Sequence, residues 1–216
     1  MENKKIMETD GKSNGSSNGD KTELPKQESP LEINLKTYKN LKSVTRHLDL
    51  VQDACKLLAE RIIDEAIELS REVDESGLKK ADGEKEQIEI KKKIDFAIRL
   101  IANGRLHDNS KFFGIEREYL IPGEDPQKVK LAHHQHVTTN KHHPEIWGSL
   151  RQMPEIYIAE MVCDWFARST EAGTDLRKWI KEQALEKYSV SANGKTYKVI
   201  KKYVDLLLDD PLTRLK

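Results

Sequence analysis

The chain has 216 residues, of which 34% are Asp, Glu, Lys or Arg, and its 37 acidic residues balance its 37 Lys and Arg residues. A net charge of zero argues against a general nucleic-acid or membrane-surface binder, and no apolar run approaches the length of a transmembrane helix. Cys55 and Cys163 form no CxxC pair, which argues against a disulfide scaffold or a zinc ribbon. Because the polar N-terminus has no signal-peptide core, we expect a cytoplasmic protein.

Residues 1–31 predict a disordered tail. They are rich in Gly, Ser, Asn, Lys and Glu and contain no aromatic residue, so they cannot bury enough surface to offset the chain entropy. Residues 32–212 carry apolar residues at helical spacing almost throughout. They predict a single all-α domain.

Two long helices are expected first. Apolar residues on one face predict a helix over residues 36–73, and residues 75–86, with two glycines, predict a charged connector. A second helix is expected over residues 87–104. Asn103-Gly104 is typical of a helix end, which would place the next residues just past the helix.

The second half of the chain predicts shorter helices. Pro126 fits the first position of a helix that reaches about Asn140. Further helices are expected over residues 154–172, 174–187 and 196–209. Asn193-Gly194, between the last two, could also make a small hairpin turn.

Histidine is concentrated in one stretch of the chain. Five of the seven histidines lie between His133 and His143, while His47 lies on the apolar side of the first helix. A His107-Asp108 pair precedes the cluster, and Asp164 follows it inside an apolar run. Imidazole is the commonest protein ligand of transition metals, and carboxylates complete such sites. The pattern predicts a metal site.

Each of these features also has a plainer interpretation. A lone His47 fits a hydrogen-bonded core residue, and Asp164 fits a buried salt bridge to Arg or Lys. The histidine-rich stretch fits a solvated helix surface.

Helical phase divides the clustered histidines. His133, His136 and Asn140 share one face of the predicted helix, and His134 points about 100° away. The helix must end before Pro144, which would let His142 and His143 turn inward. Trp147 would then cap the cavity.

The order His, His-Asp, His, His-His, Asp on a helical scaffold resembles the HD superfamily of metal-dependent phosphohydrolases. The matching residues are His47, His107-Asp108 and Asp164 for one metal, extended by His136, His142 and His143 for a second. The resemblance implies an HD-like helical bundle. It also implies one or two divalent ions, with Mn, Fe, Co, Ni and Zn left open.

A closer resemblance is to a group of phage and bacterial HD-like proteins with the pattern HDxSKF, NxHHPExW and EMxCDW. These pieces read here as residues 107–112, 140–147 and 160–165, with a Glu-rich turn at Glu116 to Tyr119 between the first two. The resemblance covers about residues 40–170. It assigns no substrate and leaves the ligand among His133, His134 and His136 open.

The resemblance implies hydrolysis of a phosphomonoester or phosphodiester by a metal-activated water. Asp108 would bridge two metals as a catalytic residue. Lys111 would either be a second catalytic residue that also binds phosphate or form a surface salt bridge. Arg105 and Arg168 are further candidates for substrate binding. Glu160, four residues before Asp164 on the same helical face, is expected to orient a ligand histidine.

Two other functions compete with this one. A di-iron HD-fold oxygenase would use a similar ligand set with dioxygen, and a non-enzymatic helical protein would hold metal only for structure. The expected partner is a small phosphorylated substrate, with a nucleotide favoured and no membrane. The long first helix could also serve a homodimer.

Overall fold

The computed structural model describes residues 29–76 and 80–209 and shows an all-α bundle with no strand in those ranges, as the sequence predicts. Most of the predicted tail, residues 1–28, and the predicted domain end at residues 210–212 lie outside the described residues. The helices are α1 Pro30–Ser76, α2 Lys80–Leu106, α3 Gly114–Tyr119, α4 Pro126–Thr139, α5 Glu155–Ala172, α6 Leu176–Trp179, α7 Leu185–Lys187 and α8 Lys195–Leu208. Short 3-10 helices at Asn109–Phe112 and Pro144–Trp147 and a π-helical turn at Ile180–Ala184 complete the chain.

Helix α1 begins six residues before the predicted start at residue 36. Ser29 and Glu32 form a capping box: the Ser29 backbone N–H donates to Glu32 Oε2 at 2.8 Å, and the Glu32 N–H donates to Ser29 Oγ at 3.3 Å. Pro30 occupies the first helical position, where its missing N–H costs nothing. The capping box, rather than the apolar pattern, therefore sets the helix start.

The predicted connector over residues 75–86 and the predicted helix end at Asn103-Gly104 are both wrong. Helix α2 begins at Lys80 and continues through Gly104 to Leu106. A Cβ added at Gly104 would lie 2.7 Å from Cys55 Cβ and 2.9 Å from Cys55 Sγ. The glycine thus allows α2 to pack closely on α1.

Helices α1 and α2 run antiparallel, because Gly104 lies against Cys55 while Lys93 Nζ reaches Glu65 Oε2 at 2.7 Å. Helix α5 packs against both of them, and α8 packs against α5 and α1. Fully buried side chains from all four helices share one core, including Val51, Leu58, Leu100, Val162 and Tyr203. This core fixes α1 and α5, which carry His47 and Asp164, and the end of α2, which directly precedes His107.

The remaining predicted helices are present with small changes. The helix predicted over residues 174–187 begins at Leu176, ends at Lys187 and contains the π-helical turn at Ile180–Ala184. Asn193-Gly194 forms no hairpin; Gly194 instead precedes the first residue of α8 with φ −74°. Within the described part of the chain, no helix has the length and hydropathy that a membrane span requires.

Replacing Gly104 by alanine is expected to destabilise the protein by about 1–3 kcal/mol, because the new methyl group overlaps Cys55. Gly83 lies in the same helix with no atom within 4 Å of an added Cβ, so Gly83→Ala should stabilise it by up to about 1 kcal/mol. Urea denaturation of both variants measures the difference. Equal effects of the two substitutions would contradict the close approach of α2 to α1.

Candidate metal centre

The end of α2 places the first two site residues. His107 and Asp108 follow Leu106 directly, and both are buried. Asp108 has φ 51°, in the left-handed region that Asp and Asn adopt more readily than other non-glycine residues. This conformation turns the chain into the 3-10 helix Asn109–Phe112 and directs the Asp108 carboxylate into the bundle.

All seven residues that the sequence predicts as metal ligands come together in the structure. They form two groups whose candidate ligand atoms lie within 4.8 Å of one another: His47, His107 and Asp164, and Asp108, His136, His142 and His143. The residues come from α1, the segment after α2, α4, the segment after α4, and α5. Buried groups of this composition could hold a metal ion.

Asp108 belongs to the second group, but its carboxylate faces both groups. Its Oδ1 is 3.3 Å from His136 Nε2 and 3.4 Å from His142 Nε2. Its Oδ2 is 3.6 Å from His107 Nε2, on the side of the other group. One carboxylate therefore presents one oxygen to each set of imidazoles.

In the first group, α1 supplies His47 and α5 supplies Asp164. His47 Nε2 lies 3.0 Å from Asp164 Oδ1, and His107 Nε2 lies 3.9 Å from the same oxygen. In the second group, His143 Nε2 lies 3.0 Å from His136 Nε2. Two nitrogen lone pairs at that separation repel each other unless a proton or a cation lies between them.

Carboxylates contact the opposite edges of the histidine rings. The Nδ1 atom of His107 lies 3.1 Å from Glu160 Oε1, that of His136 lies 2.8 Å from Glu116 Oε2, and that of His47 lies 3.0 Å from Glu171 Oε2. Because an ionised carboxylate only accepts, each Nδ1 donates and each Nε2 faces the cluster. This is the arrangement that orients metal-binding histidines.

Glu160 contacts two histidine rings, whereas its spacing from Asp164 predicts that it orients one. Its Oε1 also lies 3.4 Å from His142 Nδ1, and its Oε2 accepts a hydrogen bond from Asn103 Nδ2 at 3.0 Å. His107, His142 and Glu160 could themselves be taken as a third metal group. The ring nitrogens that face Glu160 are the Nδ1 atoms, however, so we interpret Glu160 as a hydrogen-bond acceptor.

Unsatisfied polar atoms point into the two groups. Five of the buried side-chain atoms without a hydrogen-bond partner belong to the predicted ligands: Nε2 of His47, His107 and His142, and Oδ1 of Asp108 and Asp164. Leaving buried polar atoms unpaired costs about 1–3 kcal/mol each. A cation bound at these atoms would offset that cost, so the residues fit a metal ion.

The electrostatics of the cluster also favour a cation. Burial alone would raise the pKa of Asp108, but the charges of His107 and Lys111 hold it well below its usual value. Burial likewise opposes a charged His107, yet Glu160, Asp108 and Asp164 raise the pKa of that ring. Ionised carboxylates thus attract positive charge here, either a proton or a metal ion.

His143 is less buried than His136 and His142, the other two histidines of its group. It is half-buried, and burial together with the neighbouring His142 and His136 lowers its pKa to about 3. The ring is therefore neutral at physiological pH, which is the state in which imidazole binds metal.

The three predicted substrate-binding residues lie in different places. Lys111 and Arg168 line a cavity of about 390 Å³ beside the cluster, together with Asp108, His136 and Asp164. Lys111 Nζ lies 2.5 Å from Asp108 Oδ2, and Arg168 Nε lies 3.8 Å from Asp164 Oδ1. Arg105 is exposed at the end of α2 and is not among the residues that line this cavity.

The helical phase predicted for α4 describes most of its histidines. His136 is buried in the cluster, and His134 is exposed. His133 is also exposed but lines the cavity on the His136 side. Trp147 does not cap the cavity; it stacks on Tyr157 with ring centroids 5.5 Å apart.

Two carboxylates of the site were not predicted as site residues. Glu171 follows Asp164 by seven residues on the same face of α5, so helical spacing could have indicated it. Glu116 is buried on α3 and also accepts a hydrogen bond from Ser110 Oγ at 2.8 Å. Glu116 belongs to the Glu-rich turn of the resemblance, but the polar residues around it do not indicate that it is buried.

Replacing Glu116 by glutamine is expected to weaken metal binding about tenfold, because the neutral amide polarises the His136 ring less than a carboxylate does. Glu118, exposed on the same helix, supplies the matched control Glu118→Gln, which should leave affinity unchanged. Competition with a chromophoric chelator measures both affinities. Unchanged affinity in Glu116→Gln would contradict the role of Glu116 in orienting a metal ligand.

The fold and the cluster together define an all-α protein with buried histidines and carboxylates that could hold a metal ion. A family model described as "Family of unknown function (DUF5662)" matches residues 36–206. The chain belongs to this family, and the match includes every residue of the two groups. Comparison with the curated proteins gives no match, and comparison with the solved structures gives none.

Proposed function

We propose that the protein is a metal-dependent phosphohydrolase of the HD type that acts on a phosphomonoester or phosphodiester. The observation that supports this most is the position of Asp108, with one oxygen toward each group of histidines and with Lys111 beside it. A bridging carboxylate next to a cation that lines the same cavity suits a site for an anionic substrate.

The chain would bind metal at His47, His107 and Asp164 on one side and at His136, His142 and His143 on the other, with Asp108 shared. A bound ion would supply Lewis acidity toward phosphoryl oxygens and lower the pKa of a water. Glu116, Glu160 and Glu171 keep the rings turned toward the cluster.

The cations that line the cavity would bind the substrate. Lys111 is half-buried, so its ammonium is poorly solvated and would stabilise an anionic oxygen placed beside Asp108. Arg168, at the cavity wall on α5, could hold a second oxygen of the same phosphoryl group. These contacts indicate an anionic substrate, and the experiment below separates hydrolysis from oxygenase chemistry.

The experiment combines elemental analysis of the purified full chain with an assay panel of phosphomonoesters, phosphodiesters and nucleotides. We expect at least one equivalent of a transition metal, and hydrolysis that a chelator abolishes and added Mn²⁺, Fe²⁺, Co²⁺, Ni²⁺ or Zn²⁺ restores. Metal-dependent dioxygen consumption without phosphate release would favour the oxygenase instead. Well under one equivalent of metal with unchanged thermal stability would favour the non-enzymatic function.

A further inference from the structure

A second depression lies next to the metal cavity, between the N-terminal half of α1 and the C-terminal end of α5. It has a volume of about 610 Å³ and is lined by Lys39, Lys42, Ser43, Arg46, Arg168 and Glu171; we call it the basic groove. Ser43 and Arg168 also line the metal cavity, so the two spaces adjoin each other at these two side chains. A ligand held in the cavity could therefore extend into the groove.

The basic groove carries uncompensated positive charge. Lys39, Lys42 and Arg46 are exposed and form no salt bridge within residues 29–76 and 80–209. Its one lining carboxylate, Glu171, is already engaged by His47 Nδ1 at 3.0 Å and by Arg168 at 3.3 Å. These three cations are thus available to an anionic ligand.

The spacing of the three cations fits several anionic groups in series. Lys39, Lys42 and Arg46 follow one another at three and four residues, which places them along one face of α1. They span about 10 Å of helix length. A single phosphate would contact one or two of them, whereas a short chain of phosphates could contact all three.

We propose that the substrate carries a chain of two or more phosphates, as a nucleoside diphosphate or triphosphate does, and that the basic groove binds the phosphates next to the one held in the metal cavity. This inference rests on the proposed phosphohydrolase function and names its substrate class. Single-stranded nucleic acid fits less well, because no aromatic side chain lines the groove to stack on bases. The zero net charge of the chain also argues against a long nucleic-acid track.

The test compares binding of tripolyphosphate and of inorganic phosphate to the full chain by calorimetric titration. In Lys39→Glu/Lys42→Glu we expect tripolyphosphate to bind at least about tenfold more weakly, with phosphate binding, metal content and melting temperature unchanged. Lys39→Gln/Lys42→Gln should give an intermediate loss, and it keeps the test valid if the charge-reversed variant folds poorly. The control Lys56→Glu/Lys91→Glu makes the same charge change at exposed positions outside the groove and should bind tripolyphosphate like the unaltered protein.

Equal weakening in the groove variant and the control would show an unspecific charge effect and would overturn the proposal. Unchanged tripolyphosphate binding in both groove variants would overturn it as well. Tighter binding of a short oligothymidylate than of tripolyphosphate would overturn the choice of substrate class. The proposed function is assessed separately: groove-dependent tripolyphosphate binding without hydrolysis of any phosphoester would contradict the enzyme and leave the groove assignment standing.

Discussion

Replacing Asp108 by asparagine is expected to lower phosphoester hydrolysis at least about a hundredfold, because the change removes the one negative charge shared by both groups of histidines. Metal content should fall below that of the unaltered protein, since a neutral amide cannot bridge two cations. The turnover number should fall more than the Michaelis constant rises, because Lys111 and Arg168 still line the cavity.

Asparagine is the informative substitution because Asp108 has a left-handed backbone. With φ at 51°, alanine would add backbone strain to the loss of the carboxylate, whereas asparagine adopts this region readily. Asp49→Asn supplies a matched control on α1, where the carboxylate is exposed two residues beyond His47. Steady-state assays and elemental analysis on the two variants give the comparison. Full activity in Asp108→Asn would rule out the bridging role and the dinuclear site with it.

The candidate ligands could be predicted from the sequence because their chemistry is unusual in their surroundings. Asp164 stands in an apolar run and His47 on an apolar helix face, and each must find a polar partner when buried. In the structure His47 Nε2 and Asp164 Oδ1 lie 3.0 Å apart with no hydrogen bond between them, and a cation placed between them would pair with both. The plainer interpretations, a core histidine and a salt bridge to Arg, each describe part of the geometry: Arg168 also approaches Asp164, at 3.8 Å.

The carboxylates that support the rings were harder to predict. Glu160 follows from helical spacing, because Asp164 lies one turn further along the same face of that helix. Glu116 approaches His136 only because the chain turns at Asp108 and again at Gly114, both with positive φ. A sequence pattern does not reveal two such turns in succession, so the burial of Glu116 could not be read from its neighbours.

The helix bounds also depend partly on local sequence signals and partly on packing between helices. Apolar spacing predicts the five longer helices α1, α2, α4, α5 and α8 but not the short α3, and Asn103-Gly104 wrongly indicates a helix end because glycine favours that position. In the structure the contact with Cys55 overrides that local preference. The start of α1 was missed for the opposite reason, since the Ser29 and Glu32 capping box is a purely local signal within a stretch of polar composition.

The histidines of α4 are expected to differ sharply in their effect on activity. His136→Ala should lower hydrolysis at least about a hundredfold. It removes the Nε2 atom that lies 3.3 Å from Asp108 Oδ1 and 3.0 Å from His143 Nε2, and it leaves the buried Glu116 without its imidazole partner. His134→Ala should change hydrolysis by less than about twofold, because that ring is exposed two residues earlier on the same helix.

These two substitutions form a matched pair, since each exchanges histidine for alanine inside α4 and gains the same small amount of helix propensity. His143→Ala should fall between them, because His143 is half-buried and joins the cluster through His136. Steady-state kinetics and metal content, measured on all three variants at equal protein concentration, rank them. A silent His136→Ala beside an inactive His134→Ala would mean that α4 presents its other face to the metal. The second group would then be lost, leaving His47, His107, Asp108 and Asp164 as a mononuclear site.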